Sequence, residues 1–313
     1  MSQTKFSRLV LLSIFMLLAC MPATFAQKKD KGKEPPATGT PVLWREPVGI
    51  ETRNLLLGAG GDAMKPDLSK VTFIKDDPGG YSTKYRVSDA SGNEWVAKIG
   101  KEAQSETASN RLVWAVGYES EIVYLVPRLT IEGKGAFENV RLEARPKDIK
   151  RTTEWSWTDN PFKGSHEFQG LKIMMLLINN WDMKDTNNKI LVARNDTGDA
   201  PELRYIISDL GGSFGKTGGA ISRSRNKPSD FVKANFITGV KNNVVDFHYS
   251  GKNKALFENI TVDDARWIGN WLSKLSDEQI KDAFRAANYS PQDVDQLAQT
   301  VRERIDLLVH LGQ

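Results

Sequence analysis

Residues 179–191 read NNWDMKDTNNKIL, and the fold is decided by what this polar stretch connects. Before it, residues 166–179 place Phe168, Leu171, Met175 and Ile178 at helical spacing, with Met174 and Leu177 widening the apolar face, so a buried helix leads in. After it, KILVAR (189–194) and LRYIIS (203–208) read as two strands around the turn NDTGDAPE. Taken alone, Asp182, Asp185, Asn187 and Asn188 are a polar turn, because Asp and Asn bond their own backbone there. An EF-hand is excluded, since Lys184 takes the third loop position and Asn187 the sixth, where a glycine belongs.

The strand that follows ends in SDLGGSFGKTGG (208–219), which puts Asp209 at a strand end, released by glycines. The ending Gly215-Lys216-Thr217 invites comparison with a phosphate loop of the form G-x-x-x-x-G-K-[ST]. Leu210 occupies the place of its first glycine, and Gly218-Gly219 follow where a helix should open. The motif fails on both counts.

Upstream, residues 71–100 alternate as three short strands, VTFI, STKYRVSDA and EWVAKIG, with turns at DDPGG and SGN. Lys98 lies on the third strand between apolar neighbours. Residues 101–116 lack Pro and Gly and form a helix that Gly117 caps. That helix offers Glu106, eight residues after Lys98, as an ionic partner; Glu102 and Glu119 compete for the role. Between the first two strands PGGYSTKY (78–85) is a glycine turn able to lie over phosphates. Further strands are expected at EIVYLV and NVRLEA, irregular chain over 145–164, and helices from TVDD, SDEQ and SPQD to the end, with a capping box at Ser276 and Gln279.

In the order Lys98, Glu106, Asp182-x-x-x-x-Asn187, Asp209, the chain resembles the protein-kinase-like superfamily, and within it the atypical HipA-like, secretory-pathway and phosphatidylinositol kinases. The likeness spans about residues 70–220 and rests on VAKIG, SETASNRLVWAVGY, DMKDTN and SDLGG. It implies an α+β, two-lobed fold with a β-rich N-lobe (42–145, one helix) and a mainly helical C-lobe (146–313). It further implies ATP with Mg²⁺ or Mn²⁺ as cofactors. Lys98 would pair with the α/β-phosphates, oriented by Glu106, and Gly79, Gly80 and Ser82 would contact the nucleotide. Asn187 and Asp209 would bind metal, and Asp182 would orient and deprotonate an acceptor hydroxyl on a protein, sugar or lipid. Asn180-Trp181 replace the usual His-Arg, Leu210 replaces Phe, the phosphate loop is degenerate and no A-P-E is present, which argues against an ordinary Ser/Thr or Tyr kinase. A kinase-fold binding module without catalysis, and a transferase moving AMP, remain alternatives.

The rest of the chain bounds these readings. With 313 residues, 40% of them hydrophobic, it is long enough for one two-lobed domain or two modest ones. Lys5 and Arg8 precede the apolar run 9–20, and small residues surround Ala26, the build of a signal peptide over 1–26 that implies export to a periplasm or the exterior. Retention as an anchor and lipidation at Cys20, the only cysteine, are its competitors; membrane contact is expected only in the lipidated form. Residues 27–41 read as a flexible linker. The net charge of +4 lies in Lys5, Arg8 and the KKDKGKE tail, so residues 35–313 are neutral and no basic domain awaits nucleic acid. The three histidines are scattered without ligand spacing or evident partners, and Trp181 stands beside Asp182 as a candidate cleft wall. Asn-x-Ser/Thr triplets occur at Asn195, Asn259 and Asn288.

Overall fold

A computed structural model describes residues 37–193 and 200–312. The signal segment, Cys20, most of the linker and Asn195 lie outside the described residues. The three strands expected over 71–100 are β2 (Thr72–Asp76), β3 (Thr83–Ser88) and β4 (Glu94–Ile99). With β5 (Val123–Ile131) and β6 (Gly135–Ala144) they make one antiparallel sheet in the order β2-β3-β4-β6-β5. Its apolar face gathers Val87, Trp95, Ala97, Tyr124, Leu129, Val140 and Leu142 into a core of its own.

Helix α1 (Glu102–Ala115) connects β4 to β5 and has almost no exposed face: Glu102, Glu106, Asn110 and Arg111 are buried along with Ala108, Leu112 and Val113. A helix packed on all sides explains why its sequence shows no amphipathic stripe. It ends at Gly117 (φ +97°), where a Cβ would lie 2.1 Å from the Arg45 carbonyl oxygen. Only glycine fits there.

The second sheet is smaller, in the order β1-β9-β8-β7, from β1 (Thr40–Val42), β7 (Ile149–Arg151), β8 (Asn188–Ala193) and β9 (Glu202–Ile207). Two expectations change here. The linker 27–41 was to run free to its end, yet Thr40 and Pro41 pair in parallel with Glu202 and Leu203, and the stretch 145–164 contains β7. Both strands are three residues long and take their stability from distant partners, so they carry no local pattern.

Helix α2 (His166–Leu177), capped by Ser165, whose side chain accepts from the Phe168 N–H at 3.1 Å, is buried as expected. After it come α3 (Pro228–Phe231), a hairpin β10 (Ile237–Lys241) and β11 (Val244–Phe247), and then α4 (Val262–Ser273), α5 (Asp277–Arg285) and α6 (Pro291–Val309). The capping box at Ser276 and Gln279 is formed, a feature that contributes about 1 kcal/mol. A second, larger core joins the inner side of α1 to α2, α4, α5 and α6, and includes Leu43, Ile50 and Leu55 from the N-terminal segment. The fold is mixed α+β, with a β-rich N-terminal region and a helical C-terminal region that also carries strands. His166, expected to stand alone, has its Nδ1 2.7 Å from Asp264. No helix among the described residues is long and apolar enough to cross a membrane.

Candidate active site

Lys98 is 4% exposed, and a buried ammonium needs partners. Its Nζ lies 2.8 Å from Glu106, 3.0 Å from Glu102 and 3.4 Å from Asp209. Glu102 and Glu106 are one helical turn apart on α1, so a single lysine meets both. Glu119, the other competitor, is elsewhere, 2.8 Å from Arg45. Glu106 also accepts from Arg141 of β6 at 2.6 Å, and β6 is registered so that Arg141 lies opposite Lys98. Burial pushes the Glu106 carboxyl up, with Arg141 and Lys98 pulling partly back.

The loop 179–187 is held at both ends. Trp181 and Met183 are buried, and the Trp181 indole N–H donates to the Ser224 carbonyl at 2.9 Å. Asp182 is bracketed by Lys184 (2.8 Å) and Lys252 (3.0 Å). Although burial opposes it, these lysines together with Asn187 hold its carboxyl below the usual value. Asn187 Nδ2 donates to the Asp182 carbonyl at 2.7 Å and to its carboxylate at 3.3 Å, which fixes the amide and leaves its Oδ1 as the free oxygen. The Asn187 carbonyl accepts the N–H groups of Ser208 and Asp209 at 2.7 and 3.2 Å, tying the start of β8 to the end of β9.

Asp209 follows that strand end with its side chain 44% exposed. Burial around it is outweighed by Lys98, the Gly211 N–H (3.0 Å) and Arg141, and its carboxyl sits below the usual value. Leu210 is buried in the larger core. The two glycines after it are forced by close approach: a Cβ at Gly211 would stand 2.8 Å from Glu102 Cβ, and one at Gly212 2.8 Å from Asn180 Oδ1.

Lys98, Glu106, Asp182, Asn187 and Asp209 all line one cleft of about 580 Å³ between the five-stranded sheet and the helical region. This is the grouping that the resemblance to protein-kinase-like chains implies.

No family model matches the chain, and no curated protein matches it in sequence. Among solved structures, the Helicobacter pylori proinflammatory kinase CtkA aligns over 78% of this chain and 97% of its own, at 12% identity and a TM-score of 0.48. The Rio2 kinase of Chaetomium thermophilum, in an ADP/Mg²⁺-phosphoaspartate complex, aligns over 78% and 74% at 13% identity and 0.36. A Golgi casein kinase with Mn/ADP bound aligns over 79% and 74% at 8% identity and 0.38.

Of the residues expected to cover the nucleotide, Gly80 (φ +75°) lines the cleft. Gly79 and Ser82 do not, although the Ser82 hydroxyl donates at 2.8 Å to Glu102, which does line the cleft. The Gly215-Lys216-Thr217 run does not enter a helix: the Lys216 N–H donates to Ser224 Oγ at 2.9 Å, and the Thr217 hydroxyl meets that of Ser250 at 3.3 Å.

Several lining residues had no sequence signal. Arg225 pairs with Glu102 and lies over the rings of Tyr81 and Trp181, and Arg223 lies 4.0 Å from the Trp181 centroid. Lys84 is registered opposite Lys98 on β3, and Lys252 arrives from beyond β11. The basic run SRSR (222–225) was visible, but nothing local said it would fold back onto Trp181. Among the described residues no three His, Cys, Asp or Glu side chains gather into a metal site made by protein alone. Asp209 and Asn187 instead offer two oxygen donors, the sparse set that Mg²⁺ or Mn²⁺ accepts when phosphates complete the shell.

Proposed function

We propose that the chain is an exported kinase-like phosphotransferase that moves the γ-phosphate of ATP to a hydroxyl acceptor on a protein, sugar or lipid. The observation that carries this reading is Lys98, held between Glu106 and Asp209 on the wall of a cleft that Asp182 and Asn187 also line. Lys98 is a fixed positive charge for the α/β-phosphates, and Glu106, itself anchored by Arg141, keeps it in place. Asn187 and Asp209 would hold Mg²⁺ or Mn²⁺, which when bound neutralises charge on the phosphates. Asp182, depressed by two lysines, is a weak base at neutral pH and serves chiefly to orient the acceptor hydroxyl, taking its proton late in transfer. Lys184 and Lys252 stand where an incoming anionic oxygen needs positive charge.

The test is incubation of the purified chain with Mn²⁺ and ATP labelled at either the α- or the γ-phosphate, beside Asp182→Ala and Asp209→Ala. Transfer of the γ label that falls by about 10³-fold in both variants is expected. Transfer of the α label would mean an AMP transferase, and nucleotide binding without transfer a binding module. Label transfer that survives Asp209→Ala rules the assignment out.

A further inference from the structure

Strand alternation fixes what lies deeper in the cleft than the phosphate-end groups. Val96 precedes Lys98 by two residues on β4, so it lies about 7 Å further along the same face, and Lys189 is the second residue of β8, just after the 3-10 turn that ends at Asn187. All four line the cavity. A planar base attached to a phosphate chain on Lys98 would meet Val96, the next residue on that strand face to line the cavity. Val96 is apolar, but Lys189, which lines the same cavity, carries an ammonium group 2.9 Å from Glu154.

The inner edge of this space is ionic too. Glu143, registered with Val96, is 2.5 Å from Arg141 and 3.5 Å from Arg151, and pairs with Arg145. Arg151 in turn meets Glu121 at 2.6 Å and donates to Ser208 Oγ at 2.7 Å. Sites for flat organic groups are predominantly apolar with a few placed polar atoms, and here that proportion is reversed.

Nor does the end of β6 offer backbone to the edge of a base. Both sides of the strand are paired, with β4 and with β5. The Arg145 N–H donates to the Glu94 carbonyl at 2.8 Å, the Ala144 carbonyl accepts from the Arg145 guanidinium at 3.0 Å, and residue 146 is a proline without an N–H. A neighbouring cavity of about 240 Å³, lined in part by Trp114, Tyr118 and Ile122, lies behind Arg145 and Arg151. Entering it means separating these arginines from Glu143 and Glu121, carboxylates too buried to be left unpaired.

The phosphate end is the opposite. Lys84, Lys98, Arg223 and Arg225 converge there, and Lys84 and Arg223 have no carboxylate among the described residues within salt-bridge distance. Resting on the phosphotransfer reading above, we propose that the cleft grips its donor by the polyphosphate chain alone. The donor class is then any triphosphate, and the base it carries is irrelevant to binding.

Isothermal titration of the full chain in Mn²⁺ with ATP, GTP, CTP and inorganic tripolyphosphate decides this without reference to turnover. The four dissociation constants are expected within about fivefold of one another. ATP bound more than about fivefold tighter than any of the other three overturns the proposal and leaves the phosphotransfer reading standing. Failure of all four to bind removes both.

Discussion

Lys98 is the first link in a chain of buried charges, and each link explains the next. The Glu106 that orients it is shared with Arg141, Arg141 with Glu143, and Glu143 with Arg145 and Arg151. Buried pairs of this kind add little net stability, but removing one member leaves its partners uncompensated. Burial by itself would push the Glu143 carboxyl up; Arg145, Arg141 and Arg151 override it and hold the group far below the usual range. The sign of the linkage follows. A depressed folded-state value contributes stability that is fully present above the unfolded value of about 4.3 and is lost as pH falls through the lower folded one. Glu143→Gln removes that contribution and is expected to cost about 3 kcal/mol at about pH 7, measured by urea unfolding. The gap between wild type and variant should narrow when the measurement is repeated at about pH 3. A gap that stays constant or widens shows that the arginines do not hold Glu143 ionised.

Among elements, the segment after Asp209 behaves differently from what its composition suggests. Rich in Gly, Ser and Arg, residues 211–226 read as mobile chain, yet Arg223 and Arg225 stack on Trp181 and Arg225 reaches Glu102 on α1. These contacts pin the segment across the cleft mouth, each cation–π contact contributing about 1 kcal/mol. Arg225→Ala should therefore be cleaved within 211–226 by subtilisin about tenfold faster than wild type, while Tm moves by no more than about 3 °C. Unchanged cleavage would mean that Arg225 does not hold the segment. The same contrast separates what sequence makes legible from what it does not. Strands β2 to β6 and α2 announce themselves by periodicity, α1 by its lack of Pro and Gly before Gly117, the C-terminal helices by caps, and Asp182 and Asn187 by a spacing within a single turn. Arg141, Lys252 and Arg225 reach the cleft through strand register or chain reversal, which no local window records. β1 is unreadable for the same reason, since its partner β9 is far along the chain. The β10–β11 hairpin did have a signal, Asn242-Asn243, both with positive φ in the manner of a type I′ turn.

For the whole molecule, the cleft is the meeting line of two cores, and α1 belongs to both sides of it. Ala108, Leu112 and Val113 anchor the helix in the larger core while Glu102 and Glu106 reach Lys98 on the sheet. Opposite them, Asn187 and Asp209 come from two strand ends tied together through the Asn187 carbonyl, so the two oxygen donors are set before any ligand arrives. A ligand bridging Lys98 to Asn187 and Asp209 therefore favours the folded chain across both regions at once. At one hundred times its dissociation constant such a ligand adds about 2.7 kcal/mol, a rise in Tm of about 5 °C for a chain of this size. With ATP the rise should need Mn²⁺ or Mg²⁺ and should be lost on adding a chelator, because the phosphates alone meet Asp209 as like charge. Asp209→Asn should show only the smaller, metal-independent rise contributed by Lys98, whether or not the chelator is present. If wild type keeps its full rise in the chelator, Asn187 and Asp209 hold no metal and the phosphate chain is bound by the cations alone.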